Sequence, residues 1–499
     1  MTLIEMLEKN TAEYPEKPAI IYKDQKISYG ELNDHVTRLA NSIRQLGVKK
    51  GDRIGLMLQR EPHLVIAFLA SIKAGAIPAP INYNLTKDQL RKFLPSLNPA
   101  IIFTCDKFHD LLREAGIKRN TTIVVTDNGN ANGHKWDDLL KNRPLTDPQP
   151  VSLDDTAYLN YTSGSTGEQK GAMATHANIY WNTVSAVEAF KITGDDVHLC
   201  MFAPFAHPHE LLARALCTGG TMVLLDDIFP KSLAEAIREH GVTCMMGLAP
   251  MYEMLLDTAA SDDLKSLRIP ESGGMVTRPD LISCFEKQFG IPIYPVWGST
   301  ETTGIAIAVR PGEKTKEYSL GKPCPYYEVK VVDENGDEVR AGEIGELAFR
   351  GRGVVREYYL GEGLIKDCSN QGWYFSGDLG RYDKEGFFYF MDRKSHLLKV
   401  AGLKVYPLEV EIALLTHPFI KEAAVIGVKD GLRGEIPKAV IIPKEGHSLT
   451  KEDIRSFCKG VLSNYKIPRI IELRDDLPRF ANGKVNKRQL MEEARGGSV

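Results

Sequence analysis

Short apolar runs and capped helical patterns alternate between Ser28 and Thr104 and again between Met222 and Phe289, and this alternation limits the fold more than any other feature of the chain. Ser28 and Glu31 have capping-box spacing, after which Leu32, Val36, Leu39, Ala40, Ile43 and Leu46 recur at helical intervals until Gly47 ends the run. A strand over 54–58, a helix over 63–74, an apolar run over 76–81, a second cap at Thr86 with Gln89 and a strand over 101–104 follow. The same order returns with strands over 222–225 and 243–246 and with helices over 232–240, from Met251, and over 279–289. Strand, helix, strand is the grammar of a parallel sheet covered by helices, so two doubly wound sheets are expected side by side. From Tyr327 the texture changes to alternating strands with an Asn335-Gly336 hairpin turn, the mark of a β subdomain. Beyond Arg393 a shorter α+β pattern begins. The expected class is α/β, with a large N-terminal domain over 1–392 and a small α+β C-terminal domain over 393–499.

Between the two alternating regions lies Tyr161-Thr-Ser-Gly-Ser-Thr-Gly-Glu-Gln-Lys170-Gly171. Gly164, Gly167 and Gly171 allow positive φ and close backbone approach, Ser163, Ser165 and Thr166 supply hydroxyls, and Lys170 supplies a cation, which together suit a polyphosphate. A Walker loop would need glycine before the lysine and Ser or Thr after it, where Gln169 and Gly171 stand. A flexible Gly/Ser linker has the same composition.

At 499 residues, 43% hydrophobic and 25% charged, the chain can bury more than one large core. A net charge of -3 provides no field to gather nucleic acid, so no nucleic-acid partner is expected. Eight cysteines without a C-x-x-C pair argue against a disulfide framework or a zinc cluster and suit reduced thiols in a cytoplasm. The N-terminus carries acid where a signal peptide would carry base, and the most apolar stretch, 64–81, is broken by Lys73, Gly75, Pro78 and Pro80. A cytoplasmic protein without an integral membrane segment, monomer or homodimer, is the expectation.

Further motifs are Ser272-Gly-Gly-Met275, Trp297-Gly-Ser-Thr-Glu301, Gly372-Trp-Tyr-Phe-Ser-Gly-Asp378, Met391-Asp-Arg393-Lys-Ser-His-Leu-Leu-Lys399, Gly402-Leu-Lys-Val-Tyr-Pro407 and Leu477-Pro-Arg-Phe-Ala-Asn-Gly483-Lys484. Each alone has a plainer reading: Ser-Gly-Gly as a turn, Thr-Glu as a cap and a surface acid, Asn-Gly-Lys as a solvated turn. Some of the chemistry is suggestive in itself. A carboxylate such as Glu301 suits a hard cation on a polyphosphate that keeps water in the rest of its shell, and the acceptor-only Asp378 suits a cis-diol. In this order, after the phosphate loop, the motifs resemble the adenylate-forming (AMP-binding) superfamily of acyl-CoA synthetases, carrier-protein adenylation domains and luciferases, over essentially the whole chain. Gln169 stands where that pattern usually has proline, and Ser395 where its hinge usually has Asp or Lys.

The resemblance implies an AMP-forming acyl-CoA ligase, similar to the fatty acid–CoA ligases, with ATP, Mg²⁺ and coenzyme A as its small molecules. By the same resemblance, Thr162, Ser163, Gly164, Ser165, Thr166, Gly167 and Lys170 hold phosphates, Gly273 and Gly274 lie against adenine with Trp297, Gly298 and Ser299 nearby, and Thr300 contacts phosphate. Thr166 and Glu301 hold Mg²⁺, Asp378 and Arg393 take the ribose and nucleotide, and Lys399 and Gly402 belong to the nucleotide and thioester segments. Lys484 is the catalytic lysine, working with His207, Thr166, Lys170 and Glu301. The C-terminal domain is implied to be mobile, rotating about Ser395 between adenylation and thioester formation.

Pro204-Phe-Ala-His207 resembles the family segment whose histidine gates the acyl pocket, although a packing histidine has the same look. Met245, Met246 and Met275 suit either an adaptable acyl pocket or ordinary core. Glu210 and Arg214, four apart, predict an exposed ion pair; the sharper alternative has Arg214 reading a distal polar or carboxylate group of the substrate. An amino-acid-activating, carrier-loading enzyme would be expected to show aspartate near Ala206, and a non-catalytic relative would be expected to have lost Lys484, Glu301 or Lys170. A fatty acid is therefore the expected substrate, with an aryl or dicarboxylic acid, or a carrier-protein thiol, as alternatives.

Overall fold

A computed structural model describes residues 1–118, 121–127, 133–147, 149–162, 170–226, 228–313, 315–361, 363–479 and 484–496. The chain divides into two compact units, Met1–Val329 with Phe349–Tyr374, and Lys330–Ala348 with Phe375–Val499.

The first unit is built on two parallel sheets, as the alternation requires. In one, Pro18–Tyr22, Thr221–Leu224, Val197–Cys200, Cys244–Gly247, Ile269–Ser272 and Tyr294–Ser299 pair in parallel in that order. Gln25–Ser28 closes one side in antiparallel fashion, and Gly304–Ala308 with Ser319–Pro323 continues the other. In the second sheet Ile77–Pro80, Arg53–Met57, Ile101–Thr104, Thr122–Val125 and His134–Lys135 are all parallel. Because helices cover both faces, the strands read as continuous apolar runs, Ile101–Thr104 being buried at every position. The caps expected at Ser28 and Thr86 form: each hydroxyl accepts from the backbone N–H three residues on, and the Glu31 and Gln89 side chains accept in return.

A third, antiparallel sheet joins Thr156–Thr162 to Lys170–Thr175, with Thr162 opposite Lys170, and Glu357–Gly361 and Leu364–Asp367 extend it. The phosphate-loop sequence therefore connects two paired strands. A late segment of the chain is drawn beside it.

In the second unit, Tyr374–Tyr382 pairs with Phe388–Arg393, and Asp333 accepts from the N–H groups of Asn335 and Asp337 to make the expected turn at Gly336. A separate sheet has Leu403–Val405, Leu398–Val400, Gly434–Pro443 and Ile420–Asp430 antiparallel, with Ile470–Leu473 parallel on Gly434–Pro443. One face packs Val425, Ala439 and Ile441 on Val410, Leu414 and Ile454, and the other packs Ala424, Ile426 and Val440 on Leu477 and Leu490. Burying each of these Val, Leu and Ile side chains contributes about 1.5 to 3 kcal/mol, which gives this unit its own stabilised core. No described helix is long and apolar enough to cross a membrane.

Candidate active site

The hairpin of Tyr294–Ser299 and Gly304–Ala308 positions Glu301. A Cβ on Gly298 would stand 2.4 Å from the Gly304 carbonyl oxygen, so only glycine lets the two strands approach this closely. The turn is tied by Thr302, whose hydroxyl accepts from Ser299 N (2.9 Å) and donates to Gly304 O (2.6 Å). Glu301 is largely buried, at 9% exposure, and its carboxylate accepts from the Tyr358 hydroxyl at 2.6 Å. Burial first, then Glu301, pushes the Tyr358 phenol upward, so it stays a donor. Tyr374 lies against the same carboxylate, its phenol also raised by burial and then by Glu301. Lys170 Nζ lies 5.8 Å from the centre of the Tyr358 ring, which brings the phosphate-loop lysine and the acidic residue around one side chain. Positions 163–169, with Thr166 among them, lie outside the described residues. A buried carboxylate of this kind suits Mg²⁺, which binds one or two carboxylates and takes its remaining ligands from phosphate and water.

Gly273 and Gly274 follow strand Ile269–Ser272. A Cβ on Gly273 would lie 2.8 Å from Val296 Cγ2, and Gly274 has φ of 75°. Trp297 stacks face to face on Phe349 with ring centres 4.2 Å apart, so a protein ring covers one face of its indole.

On the other side of the same turn stand the histidines. His209 is fully packed: its Nε2 donates to Thr303 O at 2.7 Å, so Nδ1 must accept from the Tyr158 hydroxyl at 2.8 Å. The ring is held neutral, and burial pushes its pKa down to about 3. His207 is partly open, at 22% exposure, and its Nδ1 lies 3.8 Å from Glu210 Oε2. Glu210 is buried and pushed up to about 7 by burial, with Arg214 opposing. Met245 belongs to the core around Leu199, Tyr252 and Phe285, and Met275 packs on it, which favours the core reading of these methionines.

The exposed Glu210–Arg214 pair does not form. A 3₁₀ turn over Pro208–Leu211 ends before the helix Ala213–Thr218 begins, so the two residues share no helical face. Both are buried, and the Arg214 guanidinium reaches Glu271 at 2.6 Å on strand Ile269–Ser272. The same ion pair occupies the group that was to read a distal carboxylate.

The second unit gathers three further expected residues. Asp378 and Arg393 are cross-strand partners, with Arg393 Nε 2.7 Å from Asp378 Oδ1. Lys484 lies near both: burial first, then the Arg393 charge, lowers its pKa, while Asp378 opposes. Asp392 accepts from Leu408 N (2.7 Å) and bonds His396 Nδ1 (3.1 Å), bracketing the short turn that contains Ser395. Lys399 is exposed on its strand, and Ala401 and Gly402 (φ 49° and 84°) turn the hairpin that follows. Sequence reasoning missed Tyr358, His209 and Glu271, which carry no local motif, and it gave no role to Tyr374, although that residue lies within the Gly372–Asp378 motif.

Residues 7–359 match the family of AMP-binding enzymes, and residues 409–484 match the AMP-binding enzyme C-terminal domain. The chain belongs to this adenylate-forming family; it is an acyl-CoA ligase that uses ATP and Mg²⁺ and has coenzyme A as a substrate. It is 30% identical to the crotonobetaine/carnitine–CoA ligase of Citrobacter koseri, over 96% of both chains. Among solved structures it is similar to the anthranilate CoA ligase AuaEII in complex with anthranoyl-AMP, with a TM-score of 0.90 and 26% identity over 99% of this chain and 97% of that one. The o-succinylbenzoate–CoA synthetase of Bacillus subtilis with ATP and magnesium is 29% identical, with a TM-score of 0.86 over 97% of this chain and 98% of that one.

Proposed function

We propose that the chain activates a monocarboxylic acid with an apolar body and no α-amino group, a fatty acid first, and that His207 faces the reacting carboxylate. The observation that carries this reading is the state of charge around His207. Arg214 is committed to Glu271, and Glu210 adds a second buried carboxyl, so a dicarboxylate would meet repulsion where it needed a cation. Ala206 stands where a carboxylate for an α-ammonium would be needed. The same excess of carboxyl over guanidinium favours a second reading, an acid with a distal quaternary ammonium, in keeping with the crotonobetaine/carnitine–CoA ligase relative.

In the first step the acid attacks the α-phosphorus of ATP and pyrophosphate leaves; in the second the thiol of coenzyme A displaces AMP. Carboxylate is a weak nucleophile, so positioning two anions and offsetting their charge is the main task. Lys170 and Thr166 hold phosphates, Glu301 holds Mg²⁺, Asp378 and Arg393 hold the nucleoside, and Lys484 offsets charge as the carboxylate adds. When bound, the cation neutralises phosphate charge. A mobile part beginning at 393 separates the two steps.

Pyrophosphate release from ATP, measured with fatty acids, benzoate, crotonobetaine, dicarboxylates and amino acids, with and without coenzyme A, tests this. Fastest turnover with a fatty acid supports the first reading, and with crotonobetaine the second. A dicarboxylate or an amino acid in first place would overturn both.

A further inference from the structure

We infer that Tyr358 is a positioning residue for the metal end of the ATP site, its hydroxyl fixing the Glu301 carboxylate so that the remaining lone pairs face a divalent cation. This rests on the reading that Glu301 holds Mg²⁺. An ionised carboxylate has about four lone-pair sites, and a bound cation needs them presented in one direction. The Tyr358 hydroxyl takes one of them at 2.6 Å, in the short range of a hydrogen bond to an ionised acceptor. Groups that hold a metal's ligands in this way orient them and limit the reach of the empty site.

Strand pairing explains why this tyrosine reaches so far. Glu357–Gly361 lies antiparallel to Lys170–Thr175, with Tyr358 opposite Ala172 and Tyr359 opposite Gly171. Successive side chains point to opposite faces. Tyr359 enters the core with Leu159, Phe93 and Ile102 and anchors the strand, which leaves Tyr358 on the face toward Glu301. The pairing that sets this register also sets Lys170 over the Tyr358 ring. One side chain therefore keeps the phosphate-loop lysine and the metal carboxylate in fixed relation, and the core does not depend on its hydroxyl.

A bland alternative has Glu301 merely satisfying a buried phenol. Tyr358→Phe separates the two, because it removes one oxygen and keeps the ring. Mn²⁺ binding in the presence of ATP, followed by electron paramagnetic resonance, should weaken by about 10- to 100-fold. ATP binding in EDTA and the melting temperature should not change. Unchanged Mn²⁺ affinity, equal weakening of metal-free ATP binding, or loss of folding would each overturn the assignment. Glu301→Gln serves as the control for the underlying reading: if it leaves Mn²⁺ binding intact, Glu301 is not the metal ligand and that reading fails first. Tyr374→Phe, which alters the other phenol at the carboxylate, should shift Mn²⁺ affinity in the same direction.

Discussion

Arg214 faces Glu271 at 2.6 Å and carries the charge that opposes the effect of burial on Glu210, in an interior where none of the three is more than 7% exposed. Removing one member of a buried pair typically costs about 3 to 5 kcal/mol, because the other is left as an uncompensated charge. Arg214→Leu should therefore lower the melting temperature sharply. Its deficit should also depend on pH. Without the guanidinium both carboxyls hold folded-state values above the ordinary glutamate value of about 4.3, so their neutral forms support the fold fully only below that pH. The contribution is lost as pH rises through neutrality, and the variant should lag wild type less at about pH 5.5 than at about pH 8. An equal deficit at both would mean that Glu210 and Glu271 stay ionised. Nothing local announces this arrangement: Glu271 lies 57 positions from Arg214 in sequence, while the nearby Glu210 invited a helical pairing that the break at Leu212 prevents.

Among elements, the hairpin around Gly298 does most to set the site. Its strands are so close that a methyl group would meet the Gly304 carbonyl, and the turn they support carries Glu301 toward Tyr358 and the Thr303 carbonyl toward His209. Gly298→Ala should force the strands apart at a cost of about 1 to 3 kcal/mol and displace Glu301. The expected result is a higher Mg²⁺ requirement for pyrophosphate release with a lower melting temperature; normal Mg²⁺ dependence would show that the strands yield elsewhere. What sequence made legible follows the same division between near and far. The caps at Ser28 and Thr86 and the turn at Gly336 depend on residues within a few positions, and they form as expected. The run Glu357–Gly361 pairs beside the phosphate loop because of tertiary register, which no local pattern encodes, so Tyr358 passed unnoticed.

At the scale of the whole chain, each unit has its own hydrophobic core, and the proposed chemistry is divided between them: Lys170, His207 and Glu301 in one, Asp378, Arg393 and Lys484 in the other. The resemblance supplied both groups as expectations, and of them the structure brings Lys170 and Glu301 around Tyr358, and Asp378, Arg393 and Lys484 near one another. The division makes Lys484 a sharp probe of whether the two steps use different arrangements of the chain. Its ammonium is proposed to offset charge that grows only as the acid attacks phosphorus, so its loss should fall on adenylation alone. Removing one such preorganised group costs on the order of 10²- to 10³-fold in rate. Lys484→Ala should therefore form acyl adenylate slowly, yet convert supplied acyl adenylate and coenzyme A to thioester at near wild-type rate. The melting temperature should hold, since neither core of the second unit includes this lysine. Equal loss of both steps would refute the separation and leave Lys484 with a general binding role, whereas loss of the first step alone would show that the thioester forms with this lysine withdrawn.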